Sequence, residues 1–185
     1  MYALPASTTC TANRTGATNR NENSRGSVIP LFIEQIKAGK PLTITNPNMT
    51  RFMMSLEEAV DLVLFTFAHA QSGDIMVQKA PACTIGILAQ ALQELFGIKN
   101  EIQVIGVRHG EKLYETLLTK EECVNAVDMG NFYRVPMDKR KLNYTRYQME
   151  ERQKEPFILE EFNSNNTVQL TVAQVKEHLL KLSFV

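Results

Sequence analysis

Arginine and glutamate residues stand where this chain could do chemistry. Arg108 and Glu111 lie in the run Val104-Ile105-Gly106-Val107-Arg108-His109-Gly110-Glu111-Lys112-Leu113-Tyr114-Glu115. A guanidinium is a planar fork of donors suited to phosphate or carboxylate oxygens, and a carboxylate close by can accept from a hydroxyl. Gly110 lets the backbone turn closely. The bland alternative is a surface turn in which Arg108 pairs with Glu111 or Glu115. Arg51 lies in Met49-Thr50-Arg51-Phe52-Met53-Met54, among residues expected to be buried. An unpaired buried guanidinium is costly, so Arg51 needs either an acid, with Glu57 and Glu58 close by in sequence, or a bound anion. Arg25, in Ser24-Arg25-Gly26-Ser27, opens a helix whose small residues and free amides suit an anion or make an ordinary cap. The three arginines form a set that could converge on a diphosphate.

The elements that must position them follow from periodicity and capping. Val28, Leu31, Phe32 and Ile36 make a helical stripe that stops at Gly39. Pro41-Leu42-Thr43-Ile44-Thr45 and residues 50–53 read as two short strands of a hairpin across Asn46-Pro47-Asn48. Ser55-Leu56-Glu57-Glu58 is a capping box opening an apolar helix through Phe67. Ile75-Met76-Val77 is a short buried strand, and Thr84 caps a helix ending at Gly97. Ile102, Val104 and Val107 predict a buried strand, while Leu113, Leu117 and Leu118 recur at helical spacing, so the charged run sits at a strand's carboxyl end, where open α/β sheets bind ligands. Strand, helix, strand across 75–104 predicts a parallel crossover. Thr119-Lys120-Glu121-Glu122 is a second capping box, Phe132-Tyr133-Arg134-Val135 an edge strand before Pro136, and 139–155 a charged, solvated excursion. Thr171 caps a last amphipathic helix, with Val172, Val175, Leu179 and Leu182 on one face, expected to dock on the domain or on a neighbouring subunit.

The 185 residues, 44% hydrophobic, suffice for one core with appendages. Three segments are expected: 1–23, poor in large apolar residues and disordered or non-native; 24–138, a binding domain; and 139–185, the excursion and final helix. Twenty basic residues against twenty acidic ones supply no general attraction for nucleic acid or an anionic membrane. Cys10, Cys83 and Cys123 are far apart, and with His69, His109 and His178 they form no metal-ligand pattern; a reducing cytoplasmic setting and no metal are expected. No run spans a bilayer, and no apolar leader is apparent at the N-terminus.

Four motifs in order carry a resemblance: Ser-Arg-Gly-Ser-Val-Ile-Pro at 24–30, Pro-Leu-Thr-Ile-Thr at 41–45, Met-Thr-Arg-Phe at 49–52 and Gly-Val-Arg-His-Gly-Glu-Lys at 106–112. Together the chain resembles, over 24–185, the C-terminal part of the nucleotide-sugar 4,6-dehydratases and epimerases of capsule and O-antigen polysaccharide biosynthesis. These are extended short-chain dehydrogenase/reductase enzymes, and the nearest branch acts on UDP-N-acetylglucosamine. The resemblance implies an α/β substrate-binding portion, a small mixed sheet with packed helices, without its Rossmann domain. It implies that Arg51 and Arg108 bind the diphosphate and that Glu111 holds the uridine ribose hydroxyls. Thr43 and Thr45 would lie along the uracil, and Arg25, Ser27 and Pro30 would line the nucleotide from the other side.

The departures are equally specific. The family's chemistry passes a hydride through NAD(P), using a Tyr-x-x-x-Lys pair and a glycine-rich phosphate turn. No tyrosine of this chain has lysine four residues on, and no strand leads into such a turn. Residues 1–23 do not resemble the family's last Rossmann strand, as a truncated or frame-disturbed gene would produce. The expectation is thus a truncated UDP-sugar dehydratase or epimerase with no catalytic residue and no cofactor of its own. The rival is a non-catalytic UDP-sugar-binding or oligomerisation module, with a homo-oligomer formed through the C-terminal helix. An independent enzyme would need an acid/base pair, for which only Glu111 with His109 offers itself.

Overall fold

A computed structural model of the chain describes residues 28–107, 109–137 and 160–181. Its first half runs α1 (Val28–Lys37), β1 (Leu42–Ile44), β2 (Thr50–Phe52), α2 (Leu56–His69), β3 (Ile75–Gln78), β4 (Ala82–Thr84) and α3 (Ile85–Phe96). Its second half runs β5 (Ile102–Val104), β6 (Thr116–Leu118), α4 (Lys120–Asn125), β7 (Val127–Asp128), β8 (Phe132–Val135), β9 (Phe162–Asn163) and α5 (Val172–Leu180). The class is α/β, and among the described residues the strands divide into four small sheets: β1-β5, β2-β4, β3-β8-β7 and β6-β9.

Local signals set the helices. Ser55 and Thr119 close full capping boxes with Glu58 and Glu122, and Thr171 does so with Gln174. The Thr84 side chain accepts from the Ile87 amide, and Gly97, at φ 64°, ends α3 in the left-handed conformation that glycine takes without strain. The buried face of α1 is Ile29, Phe32, Ile33 and Ile36, one position round from the expected stripe, which leaves Leu31 exposed. In α2 only Leu62 is buried.

Among the described residues two apolar clusters form the core. One joins α1, β1, α3 and α5 through residues such as Phe32, Leu42, Leu92 and Leu179. The other gathers Phe52, Val77, Leu117, Leu118, Cys123 and Val135. The β2-β4 pair is the wall between them, because side chains of a strand alternate in direction: Phe52 and Ala82, directly opposite each other, enter the second cluster, and Cys83 enters the first. The C-terminal helix α5 docks within the chain, with Val175 and Leu179 buried in the first cluster.

Several pairings differ from the expected ones. The 41–53 stretch is no hairpin, since β1 pairs with β5 in parallel and β2 with β4 antiparallel. The first amides of α3 explain this: Ile85 N–H donates to Met49 O at 2.8 Å and Gly86 N–H to Pro47 O at 3.0 Å, so the helix start occupies carbonyls beside the turn. An added Cβ on Gly86 would meet Pro47 O at 3.2 Å, so glycine suits this approach. The expected crossover does not pair its own strands either, because β5 joins β1 and β3 joins β8 antiparallel. Strand β5 ends at Val104 and is exposed, with Ile102 42% and Val104 57% accessible and β1 its one partner strand among the described residues. The helix expected after the charged run is replaced by β6, whose register with β9 is irregular between Thr116 and Leu118 and whose two leucines both enter the second cluster. Finally, β8 is central rather than an edge, flanked by β3 and β7; Pro136 falls after its last residue and removes no ladder donor. The expected disordered segment 1–23 and charged excursion 139–155 lie outside the described residues.

Candidate functional site

Parallel pairing of β1 and β5 puts their carboxyl ends side by side. Ile44 lies opposite Val104, and the Ile105 N–H extends the ladder to Ile44 O at 2.8 Å. The chain leaving β5 therefore runs past Thr45, and Glu111 comes back to it: Thr45 Oγ1 donates to Glu111 Oε1 at 3.4 Å across 66 positions of sequence. Two residues singled out separately in the sequence meet here.

Arg51 is the middle residue of β2 and organises the next part of the loop. Its Nη1 donates to Thr50 O at 2.7 Å and Leu113 O at 3.5 Å. Its Nη2 donates to Lys112 O at 3.0 Å and to the Met49 sulfur at 2.8 Å. Its Nε lies 3.7 Å from Glu115 Oε1. As expected, its neighbours Met49, Thr50, Phe52 and Met53 are buried. The acid that answers it is Glu115, not Glu57 or Glu58; Glu58 turns back to the Ser55 amide and hydroxyl at 2.7 and 2.9 Å. Burial pulls the Arg51 guanidinium below its ordinary value, while Glu115 and then Glu111 push it back up. A guanidinium stays charged in the neutral range.

The other expected site residues are placed as follows. Thr43 faces α1, where Gln35 Nε2 donates to its hydroxyl at 2.8 Å and Gln35 Oε1 accepts its N–H at 3.2 Å. Pro30 is half-buried in the first turn of α1, where a missing N–H costs nothing. Arg25, Ser27 and Arg108 lie outside the described residues. Sequence reasoning missed Ser164 and the pairing of Glu115 with Arg51. Ser164 bonds Thr50 and Glu115 from far along the chain, and no local spacing signals it. Among the described residues no group of three or more His, Cys, Asp or Glu could hold a metal, and no helix is long and apolar enough to cross a membrane.

A family model described as "Polysaccharide biosynthesis protein" matches residues 8–137, and one described as "Polysaccharide biosynthesis protein C-terminal" matches 138–185. The chain belongs to the polysaccharide biosynthesis protein family. Its similarity to a protein of Rickettsia felis named UDP-glucose 4-epimerase is 59% identity over 162 residues, covering 88% of this chain and 47% of the relative. A Rickettsia akari protein of the same name is 57% identical over the same share. The chain thus spans about half the length of the curated relatives it matches. Among solved structures, that of Pen from Bacillus thuringiensis matches 89% of this chain and 48% of its own, with TM-score 0.72 and 27% identity. This places the chain with the C-terminal part of extended short-chain dehydrogenase/reductase nucleotide-sugar epimerases and dehydratases, as the four motifs implied.

Proposed function

We propose that this polysaccharide biosynthesis family chain is a UDP-sugar-binding portion of an epimerase or 4,6-dehydratase, and that alone it binds the sugar nucleotide without turning it over. The observation that carries the reading is the Thr45–Glu111 contact, which sets a hydroxyl and a carboxylate at the joint carboxyl end of β1 and β5. Glu111 is a fitting acceptor for the ribose hydroxyls, and Arg108, three positions earlier, a fitting donor to the diphosphate oxygens. Arg25, Ser27 and Pro30 are assigned to the nucleotide by the resemblance, as are the backbone groups of Thr43 and Thr45. Arg51 contributes its charge beside Glu111. To give an N–H to a phosphate it would have to release Lys112 O, Leu113 O or another of its partners.

The sugar proposed is that of UDP-N-acetylglucosamine; the relatives' name supports a uridine nucleotide and points to UDP-glucose as the competing sugar. NAD(P) would be bound elsewhere than on the described part of this chain. Here β4 is followed directly by a helix, but the one glycine at that start, Gly86, faces Pro47 rather than an open cradle for a pyrophosphate. A cytoplasmic setting fits a nucleotide-sugar substrate. A homo-oligomer through α5 is supported only by its outward Leu180, since Val175 and Leu179 face inward.

Calorimetric titration tests the proposal. UDP-N-acetylglucosamine is expected to bind with a dissociation constant on the order of millimolar, because a half-open site leaves its charges wet and its loops to be ordered. Arg108→Ala is expected to weaken that binding about tenfold or more. Equal affinity in the two proteins would make Arg108 a surface charge and end the reading, while tighter binding of UDP-glucose would overturn the choice of sugar.

A further inference from the structure

The loop that carries Glu111 is closed at its far end by a residue from a distant stretch. Ser164, just past β9, is fully buried. Its hydroxyl accepts the Glu115 N–H at 2.9 Å, lies 2.8 Å from the Thr50 hydroxyl and donates to the Thr50 carbonyl at 3.2 Å. A serine hydroxyl has one proton and two lone pairs, so one assignment satisfies the whole set: it donates to Thr50 O and accepts from the Glu115 amide and the Thr50 hydroxyl. Its own N–H donates to Glu115 O at 2.8 Å, so a single residue holds both backbone polar groups of Glu115.

Ser164 does not take its place from the loop. Asn163 Oδ1 accepts the N–H groups of Asn165 and Asn166 at 2.9 and 3.1 Å, and Asn166 Oδ1 accepts the Asn163 N–H at 2.9 Å. Gln169 Nε2 fixes the Ser164 carbonyl at 2.8 Å. This turn is built from its own side chains. The loop, by contrast, exposes Lys112, Leu113 and Tyr114 and is tied to β2 by Thr50 N–H on Leu113 O and by Arg51.

We infer that Ser164 is a positioning residue for the nucleotide-sugar site: by clamping both polar groups of the Glu115 backbone to Thr50, it fixes the segment from which Glu111 reaches Thr45. The inference rests on the reading of Glu111 as a ligand contact. It links the stretch matched by the C-terminal family model to a site carried by the other.

The test uses the full chain, Ser164→Ala, and Thr50→Val, which keeps the shape of Thr50 but removes its hydroxyl. Amide exchange, urea unfolding and titration with UDP are measured on each. Losing the clamp should speed exchange at the amides of Glu115 and of position 50, which donates to Leu113 O, about tenfold more than in α3, and weaken UDP binding by the folded protein several-fold. Should Ser164→Ala fail to fold, Thr50→Val, which removes one of the three partners of the Ser164 hydroxyl, carries the comparison at reduced size, read at the amide of position 50 and in UDP affinity. A uniform rise in exchange with unchanged UDP affinity would show a merely structural serine and overturn the inference, as would unaltered exchange at Glu115. If the unsubstituted chain binds no UDP, the functional reading fails, and local exchange at Glu115 alone then upholds or refutes the clamp.

Discussion

Arg51 directs its N–H groups at the protein itself: two carbonyls of the 112–113 loop, its neighbour's carbonyl, the Met49 sulfur and the side of Glu115. Sequence reasoning saw that a guanidinium among buried neighbours must be answered, and that is a local argument. The identity of the answering groups depends on a loop some 60 positions away, which no spacing near Arg51 encodes. Cys123 offers a test at the same scale. It is fully buried, and burial, aided by Glu122, Glu161 and Glu121, pushes its thiol above the ordinary 9.0 against a weaker pull from the Phe162 backbone. The fold therefore favours the neutral thiol. Its contribution is complete below 9.0 and is lost as pH rises through 9.0 towards the raised folded value. The urea midpoint should fall between pH 8 and about 10, and Cys123→Ala should fall less over that interval. An equal fall in both proteins would assign the alkaline loss to other groups.

At the scale of elements, what was legible is what closes within one turn of chain. Ser55, Thr84, Thr119 and Thr171 each cap the helix expected of them, because a cap and its third residue meet without help from the rest of the fold. Strand partners were not legible. The turn at 46–48 exists, with the Met49 N–H on Asn46 O at 3.2 Å, yet the strands on either side part company because the α3 amides engage Pro47 and Met49. The Thr45–Glu111 meeting was implied only by resemblance, since it depends on the β1-β5 pairing. Helix α2 shows how much a cap can matter. It buries Leu62 alone and leaves Leu56, Val60, Leu64 and Phe67 exposed, so packing contributes little and the capping box correspondingly more. Ser55→Ala removes the side-chain acceptor for the Glu58 amide and should cost about 1 kcal/mol. Amide exchange should quicken in α2 more than in α3. An effect confined to the first turn, or none, would show that Leu62 suffices to hold the helix.

On the scale of the whole molecule, the candidate site bridges two half-cores. β1 belongs to the first cluster, whereas the leucines of β6 belong to the second, so the loop joining β5 to β6 crosses from one to the other. The β2-β4 pair does the same within a sheet, and Arg51 on it grips that loop. A site at such a seam keeps its geometry only if the two clusters rise and fall together. Leu117, 1% exposed and in the second cluster, provides the lever. Leu117→Ala deletes well-packed methyl groups and should cost about 2 to 5 kcal/mol. If the shared wall couples the clusters, the slowest amides of α3, in the first cluster, should lose as much protection as those of β3 and β8 in the second. Hydrogen exchange read residue by residue measures both at once. Protection lost in β3 and β8 but kept in α3 would mean that the clusters unfold separately, and the hold of Arg51 and Ser164 on the loop would then fail before the first cluster opened.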